Sequence, residues 1–320
     1  IYFYIVGAQN DYFSASALGI ILLSISLGIF WLQYHFIGRK NYVTLSGKGF
    51  EGRNTPLSFG LKITVVSIFA AWVGFNALLY GSIFYGSVMQ NWGVNHTFTL
   101  QHYITLFGQG WKNGAIPSLL QTVLFAVIAA PFTAMSGFLL AYFFSRHRFF
   151  GQKHIEFLTL LSFAVPGTVA GVSYILAFNN VPLYLTGTGA IIVLSMVTRN
   201  MPIGLRAALV NFKQLDPALD EAAYSLKASA FQTLRFITLP LLKPALLSAL
   251  VTSFVRAMTT ISAIIFLVTP STRVATSFIL NRVEDGDYGL AVAYGASLIV
   301  IMMLVIGLFG RWVGETKLGR

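Results

Sequence analysis

Hydrophobic positions along the chain fall in long, nearly continuous runs, not in the alternating or one-faced stripes of a water-soluble domain. Seven runs match the roughly 20 residues needed to cross about 30 Å of hydrocarbon. They extend from Ala15 to Ile37, Ile63 to Val88, Ser118 to Phe144, Ile155 to Phe178, Gly189 to Phe212, Leu241 to Val268 and Gly289 to Val313. In lipid every backbone polar group must be bonded internally, and no run alternates like a barrel strand, so helices are expected. Pro131, Pro166 and Pro202 lie inside three of the spans. Such breaks are tolerated where neighbouring helices or a water-filled cavity satisfy the freed carbonyls, which favours a transporter over a passive anchor.

The polar segments between the runs sort by charge. One alternate set carries Arg39, Lys40, Lys48, Arg53 and Lys62, then Arg146, Arg148 and Lys153, then Lys213, Lys227, Arg235 and Lys243, then Arg311, Lys317 and Arg320. The other carries only Lys112, Arg273 and Arg282, the last two near Glu284, Asp285 and Asp287. Fifteen basic residues against three place the first set in the cytoplasm. An odd number of spans then puts the amino terminus of this chain outside and its carboxyl terminus inside. Arg199, Arg206 and Arg256 lie within spans.

Composition agrees. Of 320 residues 56% are hydrophobic and only 10% charged, whereas a soluble domain needs about a quarter charged. The net charge of +11 is spread in loop clusters, so nucleic acid is not an expected partner. With no cysteine, disulfides, thiolate metal sites and cysteine nucleophiles are excluded. Trp92 and Trp111 stand where interfacial anchors belong.

Enzymatic chemistry has little to stand on. A phosphate-wrapping Walker A loop needs glycine five residues before its Gly-Lys pair and a hydroxyl residue after it; around Gly47 and Lys48 those positions are Tyr42 and Gly49. His35, His96, His102, His147 and His154 include no pair at ligand spacing on one intramembrane helix face, and no zincin or serine-elbow pattern occurs. His96 and His102 share an outer loop and are read as solvated. No metal site is expected.

The longest cytoplasmic loop, 213–240, is well punctuated. Asp216 followed by Pro217 reads as an N-cap and first-turn proline, with Asp220 and Glu221 placed to suit the helix dipole. Ser229 with Gln232 three residues later predicts a capping box opening a second helix that ends near Pro240. Two short helices with a bend at Lys227 and Ala228 make a knob for a cytoplasmic partner. Ala222 and Ala223 would permit close backbone approach, and Glu221 would offer a charge to a basic groove.

Glu221-Ala222-Ala223, followed by Ile237, Leu239 and Pro240 at their spacing, resembles the EAA loop of permease subunits of binding-protein-dependent ABC importers. In that family the loop docks into the ATPase subunit. One position departs, since the family's glycine is here Lys227. If the bend needs a left-handed residue, lysine costs about 1 kcal/mol or more relative to glycine; either the bend is made differently or docking is altered. Phe98-Thr99-Leu100 with Tyr103 resembles the amphipathic outer stretch before the permease core, and the five spans from Ser118 to Val313 resemble that core. The segments 254–260 and 284–288 resemble the ferric-iron branch, whose permeases often fuse two six-span halves. Polyamine, phosphonate and thiamine permeases share much of the pattern.

The resemblance implies an all-α membrane protein, a type I ABC importer permease-like bundle with about seven transmembrane helices in this chain. It implies residues 1–37 as the last span of a preceding half, 38–62 as a cytoplasmic linker and 63–320 as a six-span half with coupling loop 213–240. It further implies ferric import across a bacterial inner membrane, with an ATPase homodimer, a periplasmic binding protein, the other permease half and membrane lipid as partners. ATP and Mg²⁺ would belong to the ATPase, and this chain would hold no cofactor. Arg256, 13 residues beyond Lys243 and so roughly 20 Å along a helix, and Arg199 are the candidates for the translocation path. The rival class, an ion-coupled secondary transporter, calls for buried acidic residues, and the spans hold almost none.

Overall fold

The computed structural model describes residues 1–6, 11–36, 58–108, 110–112, 114–147, 149–216 and 218–315. Most of the expected linker, with Arg39, Lys40, Lys48 and Arg53, lies outside the described residues, as do Arg148, Pro217, Lys317 and Arg320. A short helix α1 (Tyr2–Val6) precedes α2 (Tyr12–Phe36). Asp11 opens α2 by accepting the Ser14 backbone N–H at 3.0 Å; bonds from Ser14 hold its carboxyl below the ordinary value of 3.8. The long apolar α3 (Phe59–Ser87) packs along α14 (Tyr288–Glu315) and leaves most of its side chains facing outward, as suits a helix against lipid. An antiparallel hairpin, β1 (Met89–Asn91) and β2 (Asn95–Phe98), and α4 (Gln101–Gly108) follow.

The centre is the crossing of α5 (Ala115–Arg146) and α8 (Gly189–Gln214). Its buried face on α5 is built from Ala126, Ala129, Ala130, Ala134, Gly137 and Ala141, small residues that let backbones approach where no hydrophobic drive exists between helices. At Gly137 the approach leaves no room for a side chain: a Cβ there would lie 2.9 Å from the Leu205 nitrogen and 3.0 Å from the Gly204 carbonyl carbon. One core cluster gathers around Tyr294, Phe278, Leu106 and Met196, where the buried Tyr294 hydroxyl donates to the Ala115 carbonyl at 2.7 Å. A second, around Phe138, Tyr142, Leu205 and Phe212, lies toward the 213–240 loop.

The three internal prolines behave differently. Pro131 and Pro202 sit within uninterrupted helices, whereas Pro166 separates α6 (Gln152–Ala164) from α7 (Gly167–Phe178) at a bend of 106°. Val165 before it is extended, φ −68° and ψ 123°, as the proline ring requires of its predecessor. Beyond α8 come α9 (Ala218–Ser225), α10 (Ala230–Thr233), a π turn at Leu234–Thr238, α11 (Leu239–Leu241), α12 (Lys243–Thr259) and α13 (Ala275–Glu284) before α14.

The count of seven spans is not reproduced. Among the described residues four helices are individually long and apolar enough to cross, or up to six if each bent pair counts once. The region 189–212 does form a long helix, but Arg199, Asn200, Arg206 and Asn211 make it polar. The run from Leu241 to Val268 is not one helix: it bends by 75° ahead of Lys243 and ends at Thr259. Hydropathy averages over such bends and misses them.

Candidate functional site

The 213–240 loop folds as two capped helices around a left-handed bend. Asp216 caps α9, its carboxylate accepting the Ala218 N–H at 2.9 Å. The expected capping box is formed: the Gln232 N–H donates to Ser229 Oγ at 3.3 Å, and the Ser229 N–H to Gln232 Oε1 at 2.7 Å. Between them Lys227 has φ +59°, the only positive φ at a non-glycine among the described residues. Its N–H donates to the Tyr224 carbonyl at 2.9 Å and that of Ala228 to the Ala223 carbonyl at 3.0 Å, the paired bonds of a Schellman motif. The bend is therefore made as glycine would make it, with lysine bearing the conformational cost.

The two faces of the loop differ. Ala223 is buried and Ala222 exposed, so only Ala222 of the pair is open to a partner. Leu234 and Leu239 pack against the Phe138 cluster, while Pro240 is exposed and Ile237 half-buried in the π turn. Outward stand Glu221, Lys227 and four large apolar side chains, Tyr224, Leu226, Phe231 and Phe236, Leu226 at 84% exposure. These four escaped sequence analysis, although aromatic and aliphatic residues in a polar loop were the available signal. An ion pair ties the knob to the bundle: Arg146 Nε, in the last turn of α5, lies 2.8 Å from Asp220 Oδ2. Its N–H is not aimed at the carboxylate, so charge, not a directed hydrogen bond, holds the contact.

Above the loop, α8 and α12 enclose a groove of about 360 Å³. From α12 come Ser248, Thr252 and Arg256 at successive i, i+4 positions, with Ser253 beside them; from α8 come Asn200 and Asn211. Each asparagine donates one amide hydrogen to its own helix, Asn200 to the Met196 carbonyl at 2.9 Å and Asn211 to that of Ala207 at 2.7 Å. Arg256 is exposed on the groove wall.

A family model described as the binding-protein-dependent transport system inner membrane component matches residues 134–315, more than half the chain and all of the loop and groove. The chain belongs to this family. It is thus a multi-pass membrane component of a transport system, not an enzyme. A ferric transport system permease protein, FbpB, of Actinobacillus pleuropneumoniae is 61% identical over 318 residues, covering 99% of this chain and 46% of that protein. A putative ferric transport system permease protein, FbpB 1, of Haemophilus influenzae is 63% identical over 305 residues, 90% of this chain and 48% of that protein. The chain spans about half the length of these curated relatives. Among solved structures, a bacterial ABC transporter involved in alginate import matches with a TM-score of 0.65 at 16% identity, over 79% of this chain and 95% of that one. The fold is shared with ABC importer permeases.

In this permease Arg199, the second path candidate, does not line the α8–α12 groove. Its Nη1 donates to the Val165 carbonyl at 3.3 Å, at the break where Pro166 leaves carbonyls without helical donors. Tyr174 of α7 and Thr198 of α8 share a hydroxyl hydrogen bond beside it, so the α6–α7 corner is stitched to α8. His96 and His102 are engaged separately: His96 bonds the Tyr85 hydroxyl at 3.2 Å, His102 the Met89 carbonyl at 2.9 Å. No group of three or more metal-ligating side chains occurs among the described residues.

Proposed function

We propose that this chain forms a permease half of an ATP-driven importer that passes ferric iron from a periplasmic binding protein to the cytoplasm. The observation that carries the ATP-driven reading is the capped, left-handed loop with an exposed apolar rim, joined to α5 by Arg146 and Asp220. The names of the near relatives support iron as cargo. An ATPase pair, expected as a homodimer holding ATP and Mg²⁺, would grip Glu221, Ala222 and the rim from Tyr224 to Phe236. Movement of the loop would reach α5 through the ion pair and α8 through the Gly137 crossing, opening the groove to one side and then the other.

On the same reading residues 63–320 form one half, residues 1–37 contribute the last span of the other and 38–62 join them. Packing of α2 on α6 and α7 supports a close association of the halves. The loop charges support an amino terminus outside and a carboxyl terminus in the cytoplasm, which has the polar helix α8 cross as a seventh span beside the four long helices and the two bent pairs.

The test is reconstitution of the complete permease with ATPase and binding protein in proteoliposomes. ATP-dependent uptake of labelled ferric iron is expected, and Glu221→Lys should abolish it without preventing membrane insertion. Full uptake and normal stimulated ATP hydrolysis in Glu221→Lys would overturn the coupling assignment.

A further inference from the structure

The groove is chemically one-sided. Its donors and acceptors are neutral amides and hydroxyls, and its single charge is the Arg256 guanidinium. The ten acidic residues of the chain leave 157–215 and 222–283 entirely free of carboxylates, so α7, α8 and α12 contribute none. Among the described residues the ion pairs engage Arg146 and Arg282, not Arg256. Among the described residues its guanidinium donates no side-chain hydrogen bond either, although the Thr259 and Thr260 hydroxyls donate to its backbone carbonyl.

A bare hard cation is passed between oxygen ligands, above all carboxylates. A trivalent ion entering this groove would meet no carboxylate from this chain, only the permanent positive charge of Arg256. The guanidinium fork, in contrast, offers parallel donors at the spacing of two oxygens of a carboxylate or phosphate. Asn200 and Asn211 each retain a second amide hydrogen after serving their own helices, and Ser248 and Ser253 add hydroxyls on the same wall.

We infer that the species crossing the groove presents an oxyanion to Arg256, so that the cargo is an anion-ligated ferric complex or an anionic solute in its own right, not the bare ferric ion. This rests on the reading of the groove as the translocation path. A role in packing alone would not require charge at position 256, whereas an oxyanion contact does.

The experiment uses the complete importer in proteoliposomes, offered ⁵⁵Fe(III) with ³³P-phosphate or ¹⁴C-citrate, and each anion with iron chelated away. Entry of an anion label in proportion to iron assigns the ligated complex; entry at the same rate without iron assigns the anion itself. Arg256→Gln should reduce that uptake by about ten-fold, the worth of a charge-assisted bond, and Arg256→Lys, which keeps the charge but not the fork, should recover only part of it. Iron entering with neither anion overturns the inference and leaves the import reading standing, as does anion entry that is unchanged in Arg256→Gln. No ATP-dependent entry of any label overturns both.

Discussion

Lysine at a left-handed bend is a natural place to separate conformation from charge. A non-glycine residue at φ near +60° costs about 1–2 kcal/mol, and Lys227 sits at +59°. Glycine removes that cost but gives back about 0.4–1 kcal/mol through the greater freedom of its unfolded chain. Lys227→Gly is therefore expected to stabilise the bend by about 0.5–1 kcal/mol, a two- to five-fold change in a local opening constant. The amide of Ala228, bonded to the Ala223 carbonyl across the bend at 3.0 Å, reports this directly by hydrogen exchange in detergent, where its rate should slow by the same factor. Lys227→Ala deletes the same charge and keeps the strain, so its exchange should stay within about two-fold of the parent. Equal rates in the glycine and alanine variants, or faster exchange with glycine, would refute the reasoning and place the cost elsewhere.

Other predictions follow from packing and charge. In a double-mutant cycle of Arg146→Gln and Asp220→Asn, thermal unfolding should give a coupling energy of about 1–2 kcal/mol, between the values for exposed and buried pairs, because the side chains are 16% and 30% exposed; a value below about 0.5 would remove the strut. Gly137→Ala forces a methyl against the α8 backbone and should cost about 1–3 kcal/mol, read as a lower unfolding temperature, while Gly74→Ala, which meets open space, should not. Asp11 has a folded value below its ordinary 3.8. Its contribution to the start of α2 is present above the unfolded pKa and lost as pH falls through the folded one. Ser14 amide protection should thus hold from pH 8 down to about 4 and fall below it, a dependence absent in Asp11→Asn.

Local chemistry was far more legible in this sequence than long-range geometry. The Asp216 cap, the Ser229 and Gln232 box and the bend at Lys227 were readable because each is decided within a few residues by side-chain bonds to neighbouring amides. The apolar runs marked most membrane segments for the same reason. Hydropathy could not tell Pro166, which bends its span by 106°, from Pro131 and Pro202, which do not interrupt theirs. Arg199 and Arg256 were both candidates for the path, yet one serves the carbonyl at that bend and the other lines a groove. The Arg146 and Asp220 pair joins residues 74 positions apart, beyond any pattern of spacing. Ser248, Thr252 and Arg256 were readable in principle, since their i, i+4 repeat marks one polar stripe on an apolar helix.

The central claim is that the exposed rim of the 213–240 loop is where an ATPase subunit engages this permease. The chain has no cysteine, so one placed at Leu226, 84% exposed at the tip of the bend, is the sole thiol of this chain and can carry a thiol-reactive photocrosslinker, with any cysteine elsewhere in the importer replaced beforehand. Illumination of the assembled importer should yield one adduct joining the permease to the ATPase subunit, while the same label at Thr64 on α3, at the lipid-facing side, should not. Absence of that adduct in a labelled importer that still couples ATP hydrolysis to uptake would contradict the account.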